Sequence, residues 1–158
     1  MKKSLTYDDI QLVPRYSEIP SRNDIKLHTL LTKRYGLLNP IVASPMDTVC
    51  ELEMAWKMFR LGGVGCVHRF NTIEEQSEII KKLYHRIYIS EEPPFWMDWG
   101  VHLDDWHAEM QDVPIMAAIG VSEDDKKRAT KLVESGCNVI LIDVAHGHHK
   151  NVKHILEW

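Results

Sequence analysis

Short runs of wholly apolar residues alternate along this chain with longer stretches in which apolar positions recur every three to four residues. The first run is Ile41-Val42-Ala43-Ser44, closed by Pro45. After it, Leu52, Ala55, Trp56 and Phe59 fall on one helical face. Gly62-Gly63 then supply the left-handed stop that a helix C-terminus favours. Val64-Gly65-Cys66-Val67-His68 is the second run, followed by Thr72 with Glu75 three residues on, the signature of a capping box. Ile73, Gln76, Ile79, Ile80 and Leu83 form the inner stripe of that second helix. A third run, Ile115-Met116-Ala117-Ala118-Ile119, precedes a helix capped by Ser122, with Asp125 in its first turn and Gly136 as its stop. The fourth, Val139-Ile140-Leu141-Ile142, ends in Asp143, and a last helix is expected over residues 151–158.

The pattern predicts strands near residues 40–44, 64–68, 114–118 and 139–143, each followed by a helix. Strands apolar on both faces belong to a parallel sheet covered by helices, so the expected class is α/β. Two architectures use this order, the doubly wound open sheet and the eight-unit (β/α) barrel of the TIM type. No Gly-x-Gly-x-x-Gly follows a strand, which weakens the first. Four β/α units supply half of the second.

Two stretches escape the alternation. Residues 1–39 are broken by Pro14, Pro20 and Pro40 into turns and short extended pieces. Residues 84–112 carry Trp96, Trp99 and Trp106 among many acids, with Pro93-Pro94 against helix. They read as a long irregular connection, either functional or a linker whose tryptophans plug one end of the fold.

Composition adds exclusions. The 158 residues are 44% hydrophobic with a net charge of −4, a globular balance without an electrostatic case for binding nucleic acid. No apolar run approaches the roughly 20 residues of a membrane span. The opening residues lack a secretory core, so a cytoplasmic location is expected. Cys50, Cys66 and Cys137 share no CxxC spacing and fit a reducing compartment. Cys66 and Cys137 read as buried and inert, while Cys50 has no evident basic partner.

In parallel α/β folds, ligands bind at the carboxyl ends of the strands. That selects Ser44 to Thr48, His68-Arg69, Gly120 and Asp143 to His148. Ser44 suits a phosphate or ribose, or a local backbone bond. Asp47 suits a ligand hydroxyl, or a cap for the helix near Glu51. Arg69 suits an anion, or pairing with glutamates of the following helix. Asp143 is the sharpest candidate, a carboxylate ending four aliphatics and able to accept two ribose hydroxyls; the alternative is a cap on the turn around Ala145 to Gly147. Nothing cationic near it in sequence offers a partner. His146, His148 and His149, with His154, invite a metal, but no cysteine or carboxylate spacing completes a set, and polar helix-start residues are the preferred reading.

Longer words complete the picture. Leu5-Thr6-Tyr7-Asp8-Asp9-Ile10-Gln11-Leu12-Val13-Pro14, Ser44-Pro45-Met46-Asp47-Thr48-Val49, Gly62-Gly63-Val64-Gly65 with His68-Arg69, and Asp143-Val144-Ala145-His146-Gly147-His148 resemble, in the same order, the inosine monophosphate dehydrogenases and guanosine monophosphate reductases. The resemblance covers residues 5–83 and 113–156. It implies a (β/α)8 barrel, usually tetrameric, and a redox enzyme acting on a purine nucleotide monophosphate with NAD or NADP. It places Ser44 and Met46 at the nucleotide, with Asp47 and Thr48 shaping the loop. Asp143 would hold the nicotinamide ribose, beside Ala145, His146 and Gly147. A single partial barrel domain over residues 1–158 is expected, associating with itself or with a carboxy-terminal half. The family's catalytic-cysteine loop has no counterpart among these residues, so turnover by the isolated chain is not expected and a non-catalytic nucleotide-binding or docking module is the alternative. The short 84–112 connection resembles the reductases; Ser44 to Val49 is closer to the dehydrogenases.

Overall fold

The computed structural model describes residues 4–89 and 113–158. Most of the acidic, tryptophan-rich connection lies outside the described residues. Two short antiparallel strands come first, β1 (Thr29–Leu30) and β2 (Gly36–Leu37). The alternating units follow: β3 (Val42–Ala43), α1 (Leu52–Arg60), β4 (Val64–Val67), α2 (Ile73–Tyr88), β5 (Met116–Ile119), α3 (Glu123–Glu134), β6 (Val139–Ile142) and α4 (Lys150–Glu157). The four larger units pair in chain order, β3-β4-β5-β6, with every pairing parallel. All four strands expected from the apolar runs are present, and their carboxyl ends share one rim.

Alternation along the strands sorts their side chains into two layers. Val67, Ala117, Ile119, Ile140 and Ile142 face the helices and join Ala55, Phe59, Ile80, Leu83, Ala129 and Leu132 in the main core. Val64, Cys66, Met116 and Ala118 face the other way and pack with Leu37 and Leu31. Four β/α units alone would leave this second face of the sheet bare. Instead the β1–β2 hairpin packs its leucines there, and those four inward residues of β4 and β5 are buried. Among the described residues, the outer edges of β3 and β6 stay unpaired.

The local signals act as chemistry requires. Thr72 and Ser122 accept from the backbone of Glu75 and Asp125, whose carboxylates return the bond, closing two capping boxes. Gly62, just beyond α1, adopts φ +77°, the left-handed conformation that its place after the helix calls for. Gly65 is needed for contact instead: a Cβ there would lie 2.5 Å from the Ala55 Cα, so its absence lets α1 approach β4. Helix α2 runs to Tyr88, past the expected break at residue 84. Its added turn packs Tyr84 against Tyr88, with the rings tilted and their centres 4.7 Å apart, and seats Tyr84 against Gly136.

Candidate functional site at the carboxyl rim of the sheet

The parallel register brings Ser44, His68, Gly120 and Asp143 to the same rim, each just past its strand. Ser44 and Asp143 end the two outermost strands. Three inter-strand spacings therefore separate them, up to about 14 Å. That span suits the two ends of an extended ligand.

Between them the loop after β4 is tightly held. His68 is 3% exposed, and its Nδ1 accepts the Phe70 N–H at 3.1 Å. The ring proton therefore sits on Nε2, which donates to Glu51 Oε1 at 3.1 Å. This fixes Arg69, whose Nε donates to Asp143 Oδ2 at 3.4 Å while its guanidinium lies 5.3 Å from the centre of the exposed Phe70 ring. One expectation is corrected here: Arg69 pairs with Asp143 and not with a glutamate of α2. Asp143 has no cation near it in sequence, and the sheet brings it this one from 74 residues away.

The Asp143 backbone N–H donates to the Ile119 carbonyl at 2.8 Å, extending the β5–β6 ladder by one step and anchoring the carboxylate at the rim. Its side chain is about one third exposed and makes none of the expected capping bonds to the following turn among the described residues. Ala145, His146 and Gly147 are exposed beyond it, and a Cβ added at Gly147 would meet nothing within 4 Å. His146 and His148 meet edge to face at 6.5 Å. His149 caps α4 by accepting the Asn151 N–H, and His154 lies 3.3 Å from Lys126 Nζ. The four histidines thus face separate tasks, and no cluster of three metal-ligating side chains forms among the described residues.

At the other end, Ser44 and Met46 are exposed, with the Met46 N–H donating to the Ser44 carbonyl. Asp47 is not a helix cap: Glu51 holds that position at α1, and Asp47 sits in the preceding turn. All three cysteines are buried. Burial pushes the Cys50 and Cys137 thiols up to about 11 and that of Cys66 higher still. None is poised as a nucleophile at neutral pH.

A second set of rim residues escaped the sequence reading. Gln76 is fully buried, and its Nε2 donates to the carbonyls of Val67, at the end of β4, and Ala118, one residue before the end of β5. Its Oε1 accepts from Arg128 at 2.7 Å, and Arg128 also donates to the Asn71 carbonyl. Asp125 accepts from the Gly120 N–H at 2.8 Å as well as from Ser122. Burial alone would raise its pKa, but these bonds and Arg128 outweigh it and hold the carboxyl below its usual range. A Cβ at Gly120 would lie 2.6 Å from the Asp125 carboxylate, so a side chain there would displace it. This network ties the ends of β4 and β5 to α2 and α3. The glutamine in an apolar stripe was its one visible signal.

A parallel α/β sheet with polar groups collected at its carboxyl rim is the arrangement in which α/β domains place their ligand sites. Residues 4–158 match the IMP dehydrogenase / GMP reductase domain, and the chain belongs to that family. It is 37% identical to an inosine-5'-monophosphate dehydrogenase of Cryptosporidium parvum over 95% of its own length and 41% of that protein's. A GMP reductase of Leishmania donovani is 46% identical over 52% of this chain and 17% of that protein. An inosine-5'-monophosphate dehydrogenase of Nitrosopumilus maritimus is 36% identical over 79% of this chain and 26% of its own. The chain thus spans less than half the length of these relatives.

Proposed function

We propose that this chain forms the amino-terminal part of a nicotinamide-dependent purine nucleotide oxidoreductase. In this reading residues 1–158 are one partial (β/α) barrel domain of four units. Ser44 and Met46 contribute to the purine nucleotide site, and Asp143, Ala145, His146 and Gly147 to the cofactor site. The open edges of β3 and β6 are covered by a second copy or by a carboxy-terminal half. No nucleic acid or membrane enters this account, and the setting is cytoplasmic.

One observation carries the cofactor assignment: Asp143 ends β6 as a half-buried carboxylate with, among the described residues, one long ion pair and an open loop beside it. Such an acceptor suits NAD or NADP, because a carboxylate with free lone pairs accepts from vicinal ribose hydroxyls and Gly147 leaves room for the sugar. The bound cofactor would supply hydride transfer at its nicotinamide ring. The chain's own part is to orient: Asp143 fixes the ribose, the capped loop after β4 fixes the neighbouring charge, and the Gln76 network keeps the rim rigid.

The second reading, a non-catalytic nucleotide-binding or docking module of the same family, is favoured by the cysteines. Covalent attack on a purine needs a thiolate, and all three thiols here are buried and hard to ionise. Steady-state assays with IMP and NAD, or GMP and NADPH, separate the two readings when the 158-residue chain is tested alone and mixed with a carboxy-terminal half of a relative: turnover in the mixture supports the first reading, and none supports the second. For the chain alone the expected result is ligand binding without turnover; measurable turnover by it would overturn both.

A further inference from the structure

Arg69 stands between an aromatic ring and a carboxylate, 5.3 Å from the centre of Phe70 and 3.4 Å from Asp143. The second distance is long for a charge-assisted bond, which is ordinarily about 2.7–2.9 Å. Both partners are about a third exposed, at 33% and 35%, and neither has another ion pair among the described residues. The guanidinium is therefore a neighbour of Asp143 that can yield to a ligand, and while present it cancels the carboxylate's charge.

We propose that Arg69 is a specificity-determining residue of the cofactor site, one that sets the balance between oxidised and reduced nicotinamide. The inference rests on the reading of Asp143 as the nicotinamide-ribose acceptor. The ring is joined directly to that sugar, so it lies close to whatever charge the carboxylate presents. The oxidised ring is a cation and the reduced ring is neutral. A lone carboxylate would favour the oxidised form, whereas the Asp143–Arg69 pair presents little net charge and evens the two. Arg69 also competes with the ribose hydroxyls for the same oxygen, which weakens both forms alike. Only the charge effect changes their ratio, and screening at a site this exposed limits it to about tenfold.

The test is an NMR-detected titration of the 158-residue chain with oxidised nicotinamide mononucleotide and with its dihydro form, at millimolar concentration. Wild type is compared with R69Q, R69K and D143N, each first shown by thermal melting to be folded; R69M replaces R69Q if the latter melts. The expected result is an oxidised-to-reduced affinity ratio raised about tenfold in R69Q and unchanged in R69K, which keeps the charge. D143N should weaken both ligands. An unchanged ratio in R69Q, with D143N still weakening both, overturns the role of Arg69 and leaves the Asp143 reading standing. If D143N changes neither affinity, or the wild-type chain binds neither ligand, the Asp143 reading falls and this inference with it.

Discussion

Arg69 Nε lies 3.4 Å from Asp143 Oδ2, although β5 separates the strands that carry them. The guanidinium extends across the width of one strand to reach the rim carboxylate, where the loop after β4 holds it through His68 and Phe70. Because both groups keep about a third of their surface in solvent, the pair contributes little to folding. R69Q should therefore change unfolding free energy by less than about 1 kcal/mol. Urea titration checks this; a larger loss would make the pair a structural tie and not a displaceable one.

Gln76 is the opposite case. Its amide bridges two strand ends in full burial and accepts from Arg128. Gln76→Ala leaves two carbonyls and a guanidinium short of partners beside a cavity, a cost of about 2–4 kcal/mol. The melting temperature should fall by several degrees, with no new ligand specificity.

The contrast between these residues explains what sequence alone disclosed. Helix caps such as Thr72–Glu75 and Ser122–Asp125 are set within four residues and were legible, as were the four strands with their apolar runs. The Arg69–Asp143 and Gln76–Arg128 contacts depend on which strands become neighbours, which no local window contains. The exposed Tyr7, Leu12 and Tyr16 follow no period, so nothing in the sequence placed them. Gln76 occupied an apolar stripe position, and its hydrogen-bonding role appears only once β4 and β5 lie side by side.

Asp125 gives a pH signature. Its folded carboxyl titrates below its unfolded value, since the bonds from Ser122 and Gly120 outweigh burial. Its contribution is then fully present above the unfolded value, about pH 4, and fades as pH falls through the lower folded value. Asp125→Asn should lower stability by about 1 kcal/mol at pH 7 and converge with wild type in acid. Melts across pH 2–7 decide; a constant gap would place its effect in packing.

Gly65→Ala should be severely destabilising, by about 2–4 kcal/mol, because the new methyl meets the α1 backbone at Ala55, where no flexible side chain can move aside. Equilibrium unfolding measures the loss; a neutral substitution would mean that α1 can retreat from β4 at little cost.

The thiols should resist alkylation in the folded chain at pH 8, since all three are buried and ionise well above that value. All should react in denaturant. Rapid labelling of Cys50 in the native chain, seen by mass spectrometry, would show that the turn before α1 opens.

The Asp143 assignment is tested most directly by calorimetric titration of NAD and NADPH into the wild-type chain and Asp143→Ala. The account predicts weaker binding by about 1.5–3 kcal/mol, the usual worth of hydrogen bonds to a charged group, with the melting temperature nearly unchanged. Unchanged affinity with a lowered melting temperature would contradict it and make Asp143 a structural end to β6.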